Sequence, residues 1–218
     1  MTTNLVVGGE FEGASISGNR TIITSPPGIG SQWSVLPSSS GFDIHAEGFR
    51  ASATGADGNN TGQYLEIRGD DANAIITWTI NIPSNIITGS TATFNFDGSS
   101  RVGNSQATLT SGVYRIQVSG SNTFDSGTIN VNNPSGGGWA TYTENFTVSP
   151  GDTVTATWQE TGGDGNSNTG RARGLRIDEV ELLAQVASTV PEPATLGVFI
   201  LSFLMLTSSR KRQFAQLS

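Results

Sequence analysis

Cysteine and histidine, two side chains that often carry out catalysis, are scarce in this sequence. Its 218 residues include no cysteine and one histidine, His45. In the segment FDIHAEG, the ionisable residues Asp43, His45 and Glu47 occupy every second position. A strand would therefore place their side chains on one face. The residues between them are apolar and supply the opposite, buried face. We therefore predict that the face with His45 points to solvent and is not a catalytic site.

The same counts limit the classes of function. A chain without cysteine has no thiol nucleophile, and one histidine cannot build a histidine cluster for zinc. Paired carboxylates, such as glycosidases use, stay open because acids far apart in sequence can meet in a fold. We expect no catalytic residues and interpret the chain as not an enzyme. A polysaccharide-active enzyme remains an alternative.

Four tryptophans are candidates for ligand contact, because a large ring offers a flat surface for binding. Trp78 and Trp158 share the parity of the apolar residues around them and are predicted to lie in the core. Trp33 in SQWSV and Trp139 in GGGWATY follow glycine-bearing segments, so we predict that they are partly exposed, ligand-binding rings. The alternative for each is core packing, which is the commoner use of an aromatic ring.

The elements that must position these residues are predicted to be strands. In AIITWTINI, residues 74–82, apolar side chains occupy every second position with Thr or Asn between them. This period of two is typical of a strand with one buried face. Similar segments, separated by turn-forming residues, are NLVV, FDIHA, QYLEI, TATFNF, VYRIQV, GTINV, YTENFTV, VTATW and LRIDEVEL. About ten short strands, with no amphipathic helix before Val190, predict an all-β, antiparallel β-sandwich.

The charge distribution argues against one class of partner. The net charge is −7, and the only lysine, Lys211, belongs to a basic C-terminal cluster, so the rest of the chain is acidic. Such a surface lacks the positive field that attracts phosphate backbones, and we expect no nucleic-acid partner. Three arginines gather in RARGLR, residues 171–176. We predict that they solvate a loop edge, with contact to an anionic polysaccharide as the alternative.

Four segments, in this order, resemble the signatures of galactose-binding-like jelly rolls, a fold that many carbohydrate-binding modules use. They are NLVVGGEFEG, QWSVLPSSSGFDIHAEGFRA, GADGNNTGQYLEI and LRIDEVELL, and the sequence departs from the family pattern at Gly8, Glu10 and Glu179. The resemblance implies a jelly-roll sandwich with a structural calcium ion beside its first and last strands. Glu12 and Asp178 match the positions that would supply carboxylate ligands. The alternative is that both are ordinary surface acids.

The C-terminal segment VPEPATLGVFILSFLMLTSSRKR differs from everything before it. Its uncharged residues 194–209 predict a hydrophobic helix of about 24 Å, somewhat short of the roughly 30 Å hydrocarbon core of a membrane. Arg210, Lys211 and Arg212 would hold the end of the chain on the cytoplasmic side. A permanent single-pass anchor is therefore one interpretation of this segment.

Pro191, Glu192 and Pro193, followed by an apolar segment and a basic cluster, resemble the PEP-CTERM sorting signal of Gram-negative bacteria. The resemblance implies an exosortase as the processing partner, a membrane-anchored precursor, and removal of the tail near the motif. It also implies a role with exopolysaccharide in a biofilm. An exported chain needs an entry signal, which the residues after Met1 do not provide. We expect the natural start to lie upstream, and a truncated chain or an unrecognised export route are the alternatives.

These patterns predict four parts of the chain. They are a β-sandwich over residues 1–186, a linker over 187–193, a short transmembrane helix over 194–209 and a basic cytoplasmic tail over 210–218. We predict an exported protein of the cell surface or extracellular matrix, with a sandwich that binds polysaccharide. A structural matrix protein without specific sugar binding is the alternative from another class.

Overall fold

The computed structural model describes residues 1–9, 11, 20–23, 31–36, 42–46, 63–67, 74–100, 112–131, 139–161 and 175–187. This part of the chain contains strands and no helix. The strands are β1 (Thr2–Asn4), β2 (Arg20–Ile23), β3 (Trp33–Leu36), β4 (Phe42–Ala46), β5 (Gln63–Ile67), β6 (Ile75–Asn81), β7 (Ser90–Ser100), β8 (Gly112–Ser119), β9 (Phe124–Asp125), β10 (Ile129–Val131), β11 (Ala140–Val148), β12 (Thr153–Glu160) and β13 (Leu175–Gln185). The prediction of an all-β fold is confirmed for these residues.

The strands form two antiparallel sheets. Sheet A has the order β11-β7-β13-β5-β4-β2, and β1 also pairs with β13. Sheet B has the order β10-β8-β12-β6-β3, and β9 also pairs with β8. From β5 to β8, and again from β10 to β13, consecutive strands alternate between the two sheets, as in a jelly roll. Within these two runs, strands that are neighbours in a sheet are therefore not consecutive in sequence.

The core lies between the two sheets and is rich in aromatic rings. In β12, Val154, Ala156 and Trp158 are fully buried, while the threonines between them are partly exposed. Phe94 of sheet A contacts Trp78 and Trp158 of sheet B, with ring centroids 5.7 and 6.0 Å apart. The prediction that Trp78 and Trp158 lie in the core is therefore confirmed.

By its contacts, the chain divides into two compact units, Met1–Val186 and Ala187–Ser218. Nearly all of the second unit lies outside the described residues, and so does the hydrophobic helix predicted over 194–209. The part of the chain that the structure describes contains no helix long and apolar enough to cross a membrane.

Candidate ligand-binding face

Strand β5 and the first four residues of β13 are buried on both of their faces. The apolar residues of QYLEI and of the start of β13 belong to the core. Because side chains alternate across a strand, Tyr64 and Glu66 of β5 and Arg176 and Asp178 of β13 lie on the outer face of sheet A. None of these four residues is more than 4% exposed. The outer face of the sheet is therefore covered at this place.

Arg176 contacts two of its neighbours on this face. It is paired in register with Glu66, and its Nε lies 3.5 Å from Glu66 Oε2. Its guanidinium carbon lies over the ring of Tyr64, 5.2 Å from the ring centroid. A buried charge is tolerated when an opposite charge lies beside it, and a cation above an aromatic face gains a further attraction. The ion pair and the ring therefore stabilise one another's positions.

Trp139 brings an aromatic ring to the same place. It immediately precedes β11, and its ring packs edge-on against Tyr64 with centroids 5.8 Å apart and an interplanar angle of 70°. Trp139 is half-buried, whereas the other residues named on this face are almost fully buried. We call Tyr64, Glu66, Trp139, Arg176 and Asp178 the outer-face cluster. An aromatic ring beside a few fixed polar groups is the usual composition of a small-ligand site.

Trp33 is not a partly exposed ring, which corrects the expectation from sequence. It is 2% exposed, and its ring stacks on Trp158 with centroids 5.8 Å apart and planes at 19°. Its Nε1 donates a hydrogen bond of 3.0 Å to the carbonyl oxygen of Val7. In WSVL, Trp33 shares its parity with the buried Val35, and this alternation places the ring between the sheets. Trp33 therefore offers no exposed surface to a ligand.

Of the two predicted calcium ligands, the structure describes Asp178, and Glu12 lies outside the described residues. Asp178 Oδ1 accepts a hydrogen bond of 3.0 Å from the backbone N–H of Glu179. The opening segment does run beside the last strand, because the Gly9 carbonyl accepts a hydrogen bond of 3.1 Å from Val180 N–H. No three acidic, histidine or cysteine side chains are grouped for a metal within the described ranges. Calcium therefore stays a prediction.

The predicted sorting motif and the predicted membrane-stop residues cannot be placed, because both lie outside the described residues. They are Pro191, Glu192 and Pro193, and Arg210, Lys211 and Arg212.

Sequence reasoning missed Tyr64, Glu66 and Arg176 as site residues. The prediction that the RARGLR arginines solvate a loop edge is wrong for Arg176, which is a buried residue of β13. The alternation within QYLEI and LRID could have indicated their position, because polar residues that alternate with core residues lie on the outer face of a sheet. The pairing of Glu66 with Arg176 had no such signal, because these residues are far apart in sequence.

Comparison with known proteins gives structural likenesses only. The chain matches no family profile and no curated protein. Among solved structures it is similar to the enzymatically active domain of tailspike protein 4 of bacteriophage CBA120, with 14% identity and a TM-score of 0.46. This match covers 84% of the present chain and 21% of the tailspike chain, so the present chain spans only a small part of that protein.

Several carbohydrate-binding modules are also similar in structure. TmCBM61, solved in complex with β-1,4-galactotriose, has 14% identity and a TM-score of 0.43, and the match covers 71% of this chain and 90% of that one. A family 35 module from Clostridium thermocellum has 14% identity and a TM-score of 0.39, covering 78% of this chain and 100% of that one. Likenesses at this level assign neither ligand nor activity to the present chain.

Proposed function

We propose that this chain is a non-catalytic carbohydrate-binding protein and that the exposed part of Trp139 contacts the sugar. The observation that carries the proposal is the position of this ring. All four tryptophans lie in described residues, three of them are buried, and Trp139 alone is half-buried. Its ring packs edge-on against the buried ring of Tyr64, so Trp139 is held in a fixed orientation on the outer face of sheet A.

The outer-face cluster supplies a supported aromatic platform. The C–H face of a pyranose ring is apolar, so it can pack on the exposed part of Trp139 while the sugar hydroxyls stay hydrated. Tyr64 lies edge-on beneath Trp139, and Arg176 lies over the Tyr64 ring. Because Glu66 and Arg176 are almost fully buried, we assign them the role of holding these rings in place. A rigid platform loses little conformational entropy on binding.

For location, we propose that the protein is exported in a Gram-negative-type bacterium and acts at the cell surface or in the extracellular matrix. The support is the order of Pro191–Pro193, an uncharged segment and a basic cluster in the sequence. On this proposal an exosortase processes a membrane-anchored precursor, and extracellular polysaccharide of a biofilm is the partner of the released domain. A structural calcium ion held by Glu12 and Asp178 is proposed as the cofactor.

Binding to a panel of immobilised polysaccharides tests the site. Trp139→Ala should weaken binding about tenfold or more, which corresponds to about 1.4 kcal/mol of lost contact. The thermal unfolding temperature should fall about as much as in the matched control, because both variants remove a half-buried ring. The matched control is Phe124→Ala, which removes another half-buried ring. Phe124 belongs to sheet B, and its ring stacks on that of Phe146 with centroids 5.3 Å apart. This control should leave binding unchanged.

The other outcomes separate the alternatives. Binding that survives Trp139→Ala would overturn the assignment of the outer-face cluster. Failure to bind any polysaccharide on the panel would favour a structural matrix protein without specific sugar binding. Release of reducing sugars from a polysaccharide would instead indicate an enzyme.

A further inference from the structure

Strand β11 forms a long edge of the sandwich. It ends sheet A, and among the described strands only β7 pairs with it. It has nine residues, whereas the other outer strands that the structure describes, β1, β2, β3, β9 and β10, have two to four. A long edge strand presents a row of backbone N–H and C=O groups with which another strand can pair. Short edge strands avoid this, so β11 differs from the rest of the fold.

The side chains of β11 do little to prevent such pairing. Its sequence, ATYTENFTV, contains no Lys, Arg or Pro, the residues that commonly protect an edge. Four uncharged residues are exposed along it, namely Thr141, Thr143, Asn145 and Thr147. The single charged residue, Glu144, lies on the inner side, where its Oε1 accepts a hydrogen bond of 2.8 Å from the Tyr114 hydroxyl.

We propose that β11 is a self-association edge, at which a second copy of this chain extends sheet A by antiparallel pairing about a two-fold axis. The side-chain pairs that register β11 on β7 support a second copy as the partner. Thr143 Oγ1 donates to Asn95 Oδ1 at 2.9 Å, and Thr93 Oγ1 donates to Asn145 Oδ1 at 2.8 Å. Thr141 and Thr143 already donate their hydroxyl protons within the chain, to Asp97 and Asn95. Between two copies, the side-chain amide of Asn145 would therefore donate to a threonine hydroxyl oxygen of the second copy, which again forms Thr–Asn pairs.

Two constraints select the register. The inner and outer faces stay continuous across the new pair only if residues of equal parity oppose each other. Pairing Glu144 with its own copy would set like charges opposite each other, which is destabilising. With Thr143 on the axis, Glu144 instead opposes the partner's Tyr142, and Asn145 opposes the partner's Thr141. Axes at Thr143 and Asn145 lie next to the centre of β11, so they pair more of the strand than any other axis that separates the two Glu144 side chains. With Asn145 on the axis, Glu144 would oppose the apolar ring of the partner's Phe146, so the axis at Thr143 is favoured.

Single cysteines can report this pairing, because the natural chain has none. Full-length protein carrying Thr143→Cys should form a disulfide-linked dimer under mild oxidation, since directly opposed residues have Cβ atoms about 4.5–5.5 Å apart. Thr147→Cys is the matched control on the same strand, and it lies far from its own copy in this register. Gln117→Cys, exposed on sheet B, reports random collision. Thr143→Cys should cross-link about tenfold faster than either control.

Sedimentation of the full-length chain in a nonionic detergent gives an independent measurement. The dimer fraction of the natural protein should rise with concentration, and Thr143→Lys should remain monomeric because it adds a charge at the edge. Thr155→Lys, on the outer face of sheet B, should dimerise like the natural protein. Equal cross-linking of the three cysteine variants, or a natural protein that stays monomeric up to millimolar concentration, would overturn the proposal.

Discussion

At the scale of single residues, Asp152 joins two turns of the sandwich. Its side chain is fully buried and accepts hydrogen bonds from Ser149 N–H at 2.8 Å, Ser121 N–H at 2.6 Å and Asn122 Nδ2 at 2.7 Å. Gly120, with φ of 134°, permits this close approach, since a Cβ there would lie 2.5 Å from Asp152 Oδ1. A buried carboxylate surrounded by donors in this way is stable in its charged form.

The surroundings of Asp152 predict acid sensitivity. Burial raises the pKa of its carboxyl, but the hydrogen bonds from Asn122, Ser149 and Ser121 outweigh burial and hold the pKa below its usual value. A lowered pKa in the folded state means that the stabilisation is present above the unfolded pKa of about 3.9 and is lost as pH falls through the folded value. Asp152→Asn should lower the free energy of unfolding at pH 7 by about 2 kcal/mol. Urea unfolding measured from pH 7 to pH 2 tests this, and the variant should lose less stability on acidification than the natural protein.

Asp97→Asn is the control for this prediction. Asp97 Oδ1 accepts a hydrogen bond of 2.6 Å from Thr141 Oγ1, and an asparagine retains that acceptor. This variant should keep most of its stability at pH 7. Equal losses in the two variants, or an unchanged acid slope in Asp152→Asn, would contradict the role given to Asp152.

The sequence predicts which face of a strand a side chain lies on better than it predicts how exposed that side chain is. Parity placed Trp78 and Trp158 in the core, and the structure agrees. Trp33 was predicted to be partly exposed because glycine lies near it, although its own parity with Val35 indicated the core. Asp152 gave no signal, since SPGD is an ordinary turn sequence and its partners come from a different turn. Exposure depends on which distant segments pack nearby, and local spacing does not contain that information.

At the scale of elements, β13 is the strand that holds sheet A together. It pairs with β7 along one side and with β5 and β1 along the other. Its register shifts between Asp178 and Glu181, and Glu179 adopts a φ of 49°, which is uncommon for a residue with a side chain. Gly9 lies against this bulge, and a Cβ there would be 2.0 Å from the carbonyl oxygen of Val180. The opening segment can therefore approach β13 only with glycine at this position.

This bulge is where the proposed calcium ion would be bound. Asp178 lies at its start, and Gly9, three residues before Glu12 in the sequence, accepts a hydrogen bond from Val180 N–H. An ion that binds only the folded state adds about 2.7 kcal/mol of stability at a concentration of 100 times its dissociation constant. We therefore expect added calcium to raise the melting temperature, a chelator to lower it, and Asp178→Ala to abolish both effects. Differential scanning calorimetry with and without calcium measures this.

Glu181→Gln is the matched control for the calcium prediction. Glu181 is a partly buried acid of the same strand that lies just beyond the bulge, and it is not one of the predicted ligands. This variant should keep the response to calcium. A melting temperature that responds to neither calcium nor chelator would contradict the proposed calcium site.

Alternation predicted most of the strands but not their arrangement. The segments FDIHA, QYLEI and YTENFTV lie within β4, β5 and β11, because each carries a clear period of two. The strands β2, β3 and β9 were not predicted, and they have only two to four residues each. The order of strands in each sheet depends on pairing between distant segments, so the neighbourhood of Glu66 and Arg176 could not be derived from spacing. The outer-face cluster is a product of that order.

At the scale of the whole molecule, the two sheets present different surfaces. The outer face of sheet B carries hydroxyl side chains in register across β6 and β12, with Thr79 opposite Thr155 and Thr77 opposite Thr157. Hydroxyl groups on a regular strand surface are well hydrated and offer no ring for stacking. The outer-face cluster of sheet A has the opposite character, because it combines aromatic rings with buried charges. Within the described residues, a sugar platform is therefore expected on sheet A.

Residues 191–212 determine where the protein is located if they act as a sorting signal. If residues 191–193 form a sorting signal, protein released by its native host should lack everything after about Pro193. Lys211 should then be absent from peptides of the released form, although it should be present in the membrane precursor. Mass spectrometry of the two fractions measures this. If the tail is a permanent anchor, the membrane form should keep Arg210 to Arg212 and no released form should accumulate.

The double variant Pro191→Ala with Glu192→Ala decides between these interpretations. A transpeptidase that recognises the motif should fail on this variant, so the full-length protein should accumulate in the membrane. An anchor depends on the hydrophobicity of residues 194–209, which the variant leaves intact, so it should behave like the natural protein. The matched control is Ser188→Ala with Thr189→Ala, which changes two residues just before the motif and should be released normally. Normal release of the first variant would contradict the sorting signal, because a processing enzyme that ignores Pro191 and Glu192 would leave the motif without a function.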